Sequence, residues 1–268
     1  MLIDAGVDRC VYPGAGGASS THGLLPPWLR RLHASGQPCL FAPYNSATPS
    51  ARLYVVLHGN NDSFESWHDT RMLPQLSARL RSDCLLLSYA GYAHCAVARG
   101  SGAARDAHVV QTAVNGVRDA QRGYNSVWLF GHSLGAAVAL QCCTRVRPAG
   151  LVLVSPFASL ASAAHRQYGA IGAWAAGDRF NSIAAARSHV RCPVVLLHGS
   201  RDELVPPEES RALFDALPAN SLKHRYMLPA MQHALAAPHL ALVAERVHQH
   251  YPPPTATTAS VNTGVQFA

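Results

Sequence analysis

The sequence predicts a doubly wound α/β fold, in which a mostly parallel sheet carries helices on both faces. Three observations lead to this prediction. Six short runs of β-branched residues or leucine alternate along the chain with longer helical patterns. The runs are apolar at successive positions rather than at alternate ones, which indicates strands covered on both faces. Strands of that kind need crossover helices, and the segments between consecutive runs supply them.

The predicted elements follow in chain order. The short run "CLFAPYN" from Cys39 is expected to pair with the first long strand as an antiparallel edge strand, through the turn at Ser46–Ser50. The six main strands are expected at the runs that begin with Arg52, Cys84, Ser126, Gly150, Cys192 and His224. Helices are predicted over Ser66–Arg81, Ala104–Arg122, Leu134–Arg145, Pro207–Leu217 and Pro238–His250. Proline opens the last two because the first turn of a helix does not need its missing N–H.

One domain accounts for most of the 268 residues. Residues 1–37 are rich in Gly, Ser and Pro and are predicted to be a flexible lead-in without the strand and helix that a phosphate-binding loop requires. Residues 38–251 are expected to form the α/β domain. Residues 252–268 are too poor in apolar periodicity to fold alone and are predicted to be a disordered tail. The segment Ala158–Val190 leaves room for at most a small helical cap.

Composition excludes several classes of protein. The formal charge is +7, but Lys223 is the only lysine and the arginines are spread along the chain, so no nucleic-acid partner is expected. No run of eighteen apolar residues occurs, and the N-terminus is acidic where a signal peptide is basic. Seven cysteines without a C-x-x-C motif suggest thiols in a reducing compartment. We therefore expect a soluble cytoplasmic protein whose membrane contact, if there is any, is peripheral; the sequence does not decide its oligomeric state.

A serine lies at the end of one predicted strand, within "WLFGHSLGAAVAL" from Trp128. At a tight strand-to-helix turn, the hydroxyl of Ser133 is forced out of the end of the sheet in a strained conformation. Gly131 and Gly135 supply the small neighbours that such a turn tolerates. The alanines that follow allow the helix to lie close to the sheet.

The other strand ends carry further polar residues, and ligands bind at this edge of a doubly wound sheet. The motifs there are "HGNN" from His58, "SYAGY" from Ser88, "GHSLG" from Gly131, "SPF" from Ser155 and "HGSRDELVP" from His198. With these motifs the chain resembles the α/β-hydrolase superfamily over Pro38–Tyr251. It is most similar to the small serine hydrolases that include monoacylglycerol lipases and acyl-protein depalmitoylases.

Serine, acid and histidine occur in the chain order typical of this superfamily. Ser133 is the expected nucleophile, and it needs a base because an unassisted hydroxyl attacks poorly at neutral pH. His233 is the expected base, and Asp202 is expected to orient it and to stabilise the imidazolium. The resemblance implies that the backbone N–H groups of Asn60 and Leu134 form the oxyanion hole.

Plainer interpretations stay open for each of these residues. Ser133 could be a small residue chosen for a tight turn, and Asp202 could cap the Pro207 helix or close a turn, with Glu203 as its nearest substitute. His239 is the rival of His233, although it is expected to lie inside the final helix. The superfamily usually has a glycine shortly before this histidine, where the present chain has the sequence "AMQ".

Several other residues are interpreted as supporting ones. His58 and His198 are expected to hydrogen-bond local backbone, and His132 to flank the site without acting in it. His248 and His250 lack a Cys or carboxylate to complete a four-ligand set, so no metal is assigned, and no cofactor. Four aromatic residues are placed either to line an acyl pocket or to form plain core: Trp67, Tyr92, Phe157 and Trp174.

The sequence thus predicts a cofactor-independent serine hydrolase. Its expected substrate is a carboxylic ester or thioester of a lipid or acyl-protein, cleaved through an acyl-enzyme on Ser133. Two alternatives remain. The first is a non-catalytic scaffold of the same fold that binds a ligand or partner, and the second is a serine peptidase or amidase.

Overall fold

Eight strands form a single sheet in the described part of the chain. The computed structural model describes residues 29–32, 35–45, 50–60, 62–92, 94–95, 101–219 and 222–254. The strands are β1 (Arg30–Arg31), β2 (Pro38–Ala42), β3 (Arg52–Leu57), β4 (Asp83–Leu87), β5 (Ser126–His132), β6 (Gly150–Val154), β7 (Val194–Gly199) and β8 (Lys223–Leu228). Their order across the sheet is β1-β2-β4-β3-β5-β6-β7-β8.

Strands β3 to β8 run parallel, and β1 and β2 are antiparallel to their neighbours. This confirms the predicted doubly wound, mostly parallel sheet. The predicted partner of β2 was wrong, because β2 pairs with β4, with Cys39 opposite Leu87, and not with β3. Strand β3 has no unpaired edge with which β2 could form hydrogen bonds, since β4 and β5 pair with its two sides. Strand β1, at the outer edge, lies within the segment expected to be a lead-in.

Eight helices surround the sheet in the same described ranges. They are α1 (Phe64–Asp69), α2 (Met72–Leu80), α3 (Gly102–Gly123), α4 (Leu134–Cys142), α5 (Leu160–Ala176), α6 (Ser182–His189), α7 (Pro207–Ala216) and α8 (Ala237–His248). Four of the five predicted helices are found within a few residues of their expected bounds. The fifth, predicted over Ser66–Arg81, is two helices.

The break between α1 and α2 has a local cause. Pro74 lacks an N–H and its ring crowds the carbonyl four residues earlier, so it suits the first turn of a helix and not an interior. A new helix accordingly begins at Met72, and Arg71 before it adopts a left-handed conformation with φ of 54°. Helix α1 has its own start, a reciprocal cap between Ser63 and Ser66.

The core lies in two layers, one on each face of the sheet. Tyr54 and Val56 of β3 pack toward α1, α2 and α8, whereas Val55 and Leu57 pack toward α3, α4, α6 and α7. All four side chains are fully buried. Burial on both faces explains why the strands are apolar at successive positions.

The order in which successive strands are placed across the sheet reverses at β3. The crossover after β3 leads to β4 on one side of β3. The crossover after β4 returns past β3 and leads to β5 on its other side. Such a reversal opens a crevice at the carboxyl ends of the two strands, where ligands of doubly wound sheets bind. The crevice places the segment after Leu57 beside the segment after His132.

The segment after β6 forms α5 and α6 and no large cap. Helix α5 is interrupted at Gly169, which has φ of 66°, and α6 packs on the core through Ala185 and Ala186. No helix in the described ranges is long and apolar enough to cross a membrane. Most of the predicted lead-in and tail, residues 1–28 and 255–268, lies outside the described residues.

Candidate active site

Ser133 occupies a sharp turn between β5 and α4. Its φ of 53° and ψ of −116° lie outside the helical and extended regions, and its N–H donates to the carbonyl of Val154 at 2.9 Å. Small neighbours make this turn possible, since a β-carbon on Gly131 would lie 2.5 Å from the Gly135 oxygen. The strained turn points the hydroxyl out of the carboxyl end of the sheet.

The structure brings Ser133, His233 and Asp202 into one hydrogen-bonded chain. His233 Nε2 lies 2.9 Å from Ser133 Oγ, and His233 Nδ1 lies 2.9 Å from Asp202 Oδ2. Because a carboxylate only accepts, the network assigns the imidazole hydrogen to Nδ1. The Nε2 lone pair therefore faces the serine hydroxyl, which is the arrangement needed to remove its proton.

Asp202 is held in its ionised form. Burial would raise the pKa of this carboxyl, but hydrogen bonds from the His198 and His233 side chains and from the Val205 N–H lower it below its usual value. Oδ1 accepts the N–H groups of Leu204 and Val205 at 3.1 and 2.8 Å. Asp202 thus closes a turn through one oxygen and faces His233 through the other.

The residues considered as substitutes for Asp202 and His233 do not contact the serine in this arrangement. The N-cap of α7 is Pro206, so Asp202 does not cap that helix. Glu203 is exposed to solvent. His239 lies in the first turn of α8, as expected, where its Nδ1 accepts the N–H of Ala236 at 3.2 Å.

The loop after β3 is fixed by three side chains. The Tyr89 hydroxyl donates to the carbonyl of His58, and the Tyr92 hydroxyl donates to Asn60 Oδ1 at 2.9 Å. Asp62 Oδ2 accepts the N–H of Gly59 at 3.0 Å. These contacts hold the backbone of the loop beside the serine turn, where the two expected oxyanion donors follow adjacent strands.

The sequence matches the profile of the α/β hydrolase family over residues 54–259. This match spans well over half of the chain. The chain belongs to the α/β-hydrolase family. The predicted resemblance is thereby confirmed, and the fold described above is that of an α/β-hydrolase.

Individual relatives of this α/β-hydrolase vary in coverage. An uncharacterized protein of Mycobacterium tuberculosis is 33% identical over 248 residues, which cover 87% of this chain and 82% of the relative. Lysophosphatidylserine lipase ABHD12 of Macaca fascicularis is 30% identical over 125 residues, 39% of this chain and 31% of the lipase. The solved structure of the Pyrococcus furiosus esterase PF2001 has a TM-score of 0.64 at 15% identity and covers 87% of this chain and 97% of the esterase. At that identity the esterase shows a shared fold.

Helix α5 lies in the segment that was predicted to form at most a small cap, and we refer to it as the cap. Glu209 in the first turn of α7 anchors it, since Oε2 accepts both the N–H of Ala158 and the hydroxyl of Ser162 at 2.7 Å. A cavity of about 580 Å³ lies between α5 and the start of α7. The cap exposes large apolar side chains, with Ile171 80% and Trp174 72% exposed.

The remaining predicted residues have mostly structural contacts. His58 and His198 donate to the carbonyls of the nearby residues 59 and 205 at 2.8 and 2.7 Å, as expected. Trp67 and Phe157 belong to the core, on opposite faces of the sheet. In the described part of the chain, no group of three or more His, Cys, Asp or Glu residues is placed to hold a metal ion.

Sequence reasoning missed two features of the site. Asp62 contacts both the loop after β3 and His132, and its only signal was a carboxylate four residues after His58. Ala230, three residues before His233, has φ of 58°. It occupies a left-handed position of the kind that glycine favours, close to where the superfamily's glycine was expected.

Proposed function

We propose that this α/β-hydrolase is a serine esterase whose catalytic triad is Ser133, His233 and Asp202. The observation that carries the proposal is the pair of 2.9 Å contacts of His233, one to the serine hydroxyl and one to the carboxylate. Three side chains that lie far apart in the sequence meet at the crevice where this fold binds its ligands. An ionised acid, a neutral imidazole and a hydroxyl are the groups that acyl transfer requires.

In the first half of the reaction, Ser133 Oγ attacks the carbonyl carbon of the ester. His233 Nε2 takes the hydroxyl proton, and Asp202 stabilises the imidazolium that forms. The negative charge on the carbonyl oxygen is bound by the N–H groups of Asn60 and Leu134, helped by the N-terminus of α4. When the intermediate collapses, the leaving alcohol receives the proton from His233, and the acyl group remains on Ser133.

In the second half, water replaces the alcohol. His233 Nε2 removes a proton from the water as it attacks the acyl-enzyme, and the same two N–H groups bind the new oxyanion. Collapse of this intermediate releases the carboxylic acid and returns the proton to Ser133. The chain's own side chains and backbone supply each of these steps.

The proposed substrate is the acyl ester of a lipid or lipidated protein, with the thioester as a close variant. The small cap leaves the crevice accessible to a bulky leaving group. The apolar side chains Ile171 and Trp174 on the cap suit a lipid surface, at which the enzyme would bind peripherally. The ABHD12 relative is itself named a lysophosphatidylserine lipase.

Labelling with a fluorophosphonate probe tests the triad. We expect one adduct, located on Ser133 by peptide mass spectrometry, and none in the Ser133→Ala variant. Wild-type protein that is folded but unlabelled would favour the non-catalytic scaffold. The matched control is Ser155→Ala, because Ser155 also follows a strand of the sheet but is fully buried; this variant is expected to be labelled like wild type.

A substrate panel tests the acyl chain and the bond. p-Nitrophenyl esters of graded length, a thioester and an anilide are compared by kcat/KM. We expect the esters and the thioester to be hydrolysed with a preference for longer chains, and the anilide to be cleaved at least about a hundredfold more slowly. Faster cleavage of the anilide would favour a peptidase or amidase, and equal rates for all chain lengths would leave the lipid substrate unsupported.

The cap is tested with the variant Ile171→Ser/Trp174→Ser. Hydrolysis of a long-chain ester held in anionic vesicles is expected to fall, because the apolar contact with the lipid surface is lost. Hydrolysis of soluble p-nitrophenyl acetate is expected to stay at the wild-type rate. Equal activity of variant and wild type on vesicles would contradict the peripheral contact.

A further inference from the structure

His132 connects three segments of the site through its ring. It precedes Ser133 in the turn and is 6% exposed. Its Nε2 lies 2.9 Å from the main-chain carbonyl oxygen of His233. Its Nδ1 faces Asp62 Oδ2 at 3.5 Å, and the same carboxylate oxygen accepts the N–H of Gly59 at 3.0 Å. One ring thus lies between the loop that carries the base and the loop after β3.

The two partners of the ring are a carbonyl oxygen and a carboxylate. A carbonyl oxygen only accepts hydrogen bonds, so Nε2 of His132 carries a hydrogen and donates it to residue 233. Burial would raise the pKa of Asp62, but hydrogen bonding to the His132 side chain and to the Gly59 N–H helps to lower this pKa to about 2. Asp62 is therefore ionised at neutral pH. Nδ1 of the ring faces this carboxylate at 3.5 Å.

The geometry of His132 suits positioning and not proton transfer. The centroids of the His132 and His233 rings are 5.4 Å apart, and the hydrogen bond runs to the backbone of His233 and not to its imidazole. Fixing this carbonyl fixes the point from which the His233 side chain reaches Ser133. Fixing Asp62 in turn fixes the Gly59 backbone, next to the amide proposed to bind the oxyanion.

We infer that His132 is a positioning residue, which holds the main chain of His233 directly and the main chain of Gly59 through Asp62, on either side of Ser133. The inference rests on the proposed function, since it concerns the same reaction. A displacement on the order of 1 Å between reacting groups costs about a hundredfold in rate. The loss is expected in kcat and not in KM, because neither contact of His132 involves the substrate.

Four variants separate the two contacts. His132→Leu removes both of them, and its kcat for a p-nitrophenyl ester is expected to fall about 30- to 100-fold with KM within about twofold of wild type. His132→Gln places an amide N–H near the position of Nε2, and its kcat is expected within about fivefold of wild type. His132→Asn reaches toward Asp62 but not toward the His233 carbonyl, and it is expected to lose at least about tenfold. Asp62→Asn is expected to lose several-fold alone and nothing further in the His132→Leu background.

The control variant is His239→Gln, since this histidine contacts its own helix and its loss is expected to leave kcat and KM unchanged. Circular dichroism and melting temperature check the fold of each variant, and if His132→Leu does not fold, the comparison of His132→Gln with His132→Asn decides. Equal kcat for these two variants, or wild-type kcat in His132→Leu, would overturn the inference alone. Wild-type protein that neither reacts with the fluorophosphonate nor cleaves esters would overturn the proposed function and the inference with it.

Discussion

Gly135 lies directly against the carbonyl of Leu57, so that a β-carbon on Gly135 would come within 1.9 Å of the Leu57 oxygen. The first turn of α4 therefore rests on the carboxyl end of β3 without a side chain between them. This approach brings the start of α4, with the Leu134 amide, next to the loop that carries Asn60. The absence of a side chain at position 135 lets the two segments that carry the proposed oxyanion donors approach each other.

Gly135→Ala is therefore expected to lower the free energy of unfolding by about 3 kcal/mol or more, since backbone atoms cannot move aside as a side chain can. Gly116→Ala in α3 is the matched control. The atoms nearest to a β-carbon there are the two methyl carbons of the Leu87 side chain, both at 2.7 Å, and the gain in helix propensity of about 1 kcal/mol offsets the crowding. Urea denaturation measures the free energy of unfolding of both variants. Equal stability of the two variants would contradict this account of the turn.

The central strands of the sheet can be predicted from the sequence because they are buried on both faces. Leu85 and Leu86 of β4 point to opposite faces and are both fully buried, so a continuous apolar run is the only pattern that fits. The partner of β2 cannot be predicted in this way. It depends on which strand of the finished sheet has an open edge, and that is a property of the whole topology.

The residues of the site likewise divide into those with a local signal in the sequence and those that depend on the whole topology. Ser133 is marked by the glycines around it, because its strained turn has a local requirement that the sequence displays. The contact of His132 with Asp62 spans 70 residues and depends on the end of β5 meeting the loop after β3. No local pattern in the sequence indicates such a contact, so His132 was predicted only to flank the site.

Asp202→Asn tests the assignment of the acid. The amide can keep the turn closed through its oxygen, but it can present an N–H to His233 and favour the wrong tautomer of the imidazole. We expect kcat for a p-nitrophenyl ester to fall about 10³- to 10⁴-fold, with a much smaller change in KM. Steady-state kinetics on the folded variant provides the measurement.

Glu203→Gln is the control for this experiment, because Glu203 is adjacent in sequence but exposed. Its kcat is expected to stay within about twofold of wild type. If Asp202→Asn retained a tenth or more of the wild-type kcat, Asp202 would be a turn residue and not the acid of the triad.

The charge of Asp62 is expected to stabilise the fold in a defined range of pH. Its pKa is lowered from 3.8 to about 2, because hydrogen bonding to His132 outweighs burial. A carboxyl that binds its proton less tightly in the folded state stabilises the protein above about pH 4, and this stabilisation is lost as the pH falls from about 4 to 2. Since the side chain is 32% exposed, solvent screening reduces the contribution to about 1–2 kcal/mol.

Asp62→Asn is therefore expected to be about 1–2 kcal/mol less stable than wild type at pH 6, and the difference is expected to shrink as the pH is lowered toward 3. Urea unfolding at a series of pH values measures it. Asp69→Asn is the control, because its side chain is 76% exposed and should show little change at any pH. A difference between Asp62→Asn and wild type that stays constant with pH would mean that the amide disrupts packing and that charge is not involved.

Ala230 adopts φ of 58° in the loop that leads to His233, which is unfavourable for a residue with a β-carbon. The loop is held in this shape by its surroundings. The Ala230 N–H donates to Ser200 Oγ at 3.0 Å, and the backbone of Met231 lies so near Gly199 that a β-carbon there would be 2.2 Å from the Met231 oxygen. The strain at Ala230 therefore persists because the loop that places His233 has no room to relax.

Ala230→Gly is expected to relieve this strain, which is about 1–2 kcal/mol. Part of the resulting gain in stability is lost, because glycine has more conformational freedom in the unfolded chain. The net result is a rise of up to about 1 kcal/mol in the free energy of unfolding, with the bond to Ser200 retained. Ala241→Gly, at an exposed position inside α8, is expected to change stability by a similar amount in the opposite direction, since glycine is a poor helix former. Urea denaturation measures whether each variant has a higher or a lower free energy of unfolding than wild type. A stabilised Ala230→Gly that keeps the wild-type kcat would show that glycine serves this turn equally well. A destabilised Ala230→Gly would mean that the left-handed conformation of Ala230 stores less strain than glycine loses to its freedom in the unfolded chain.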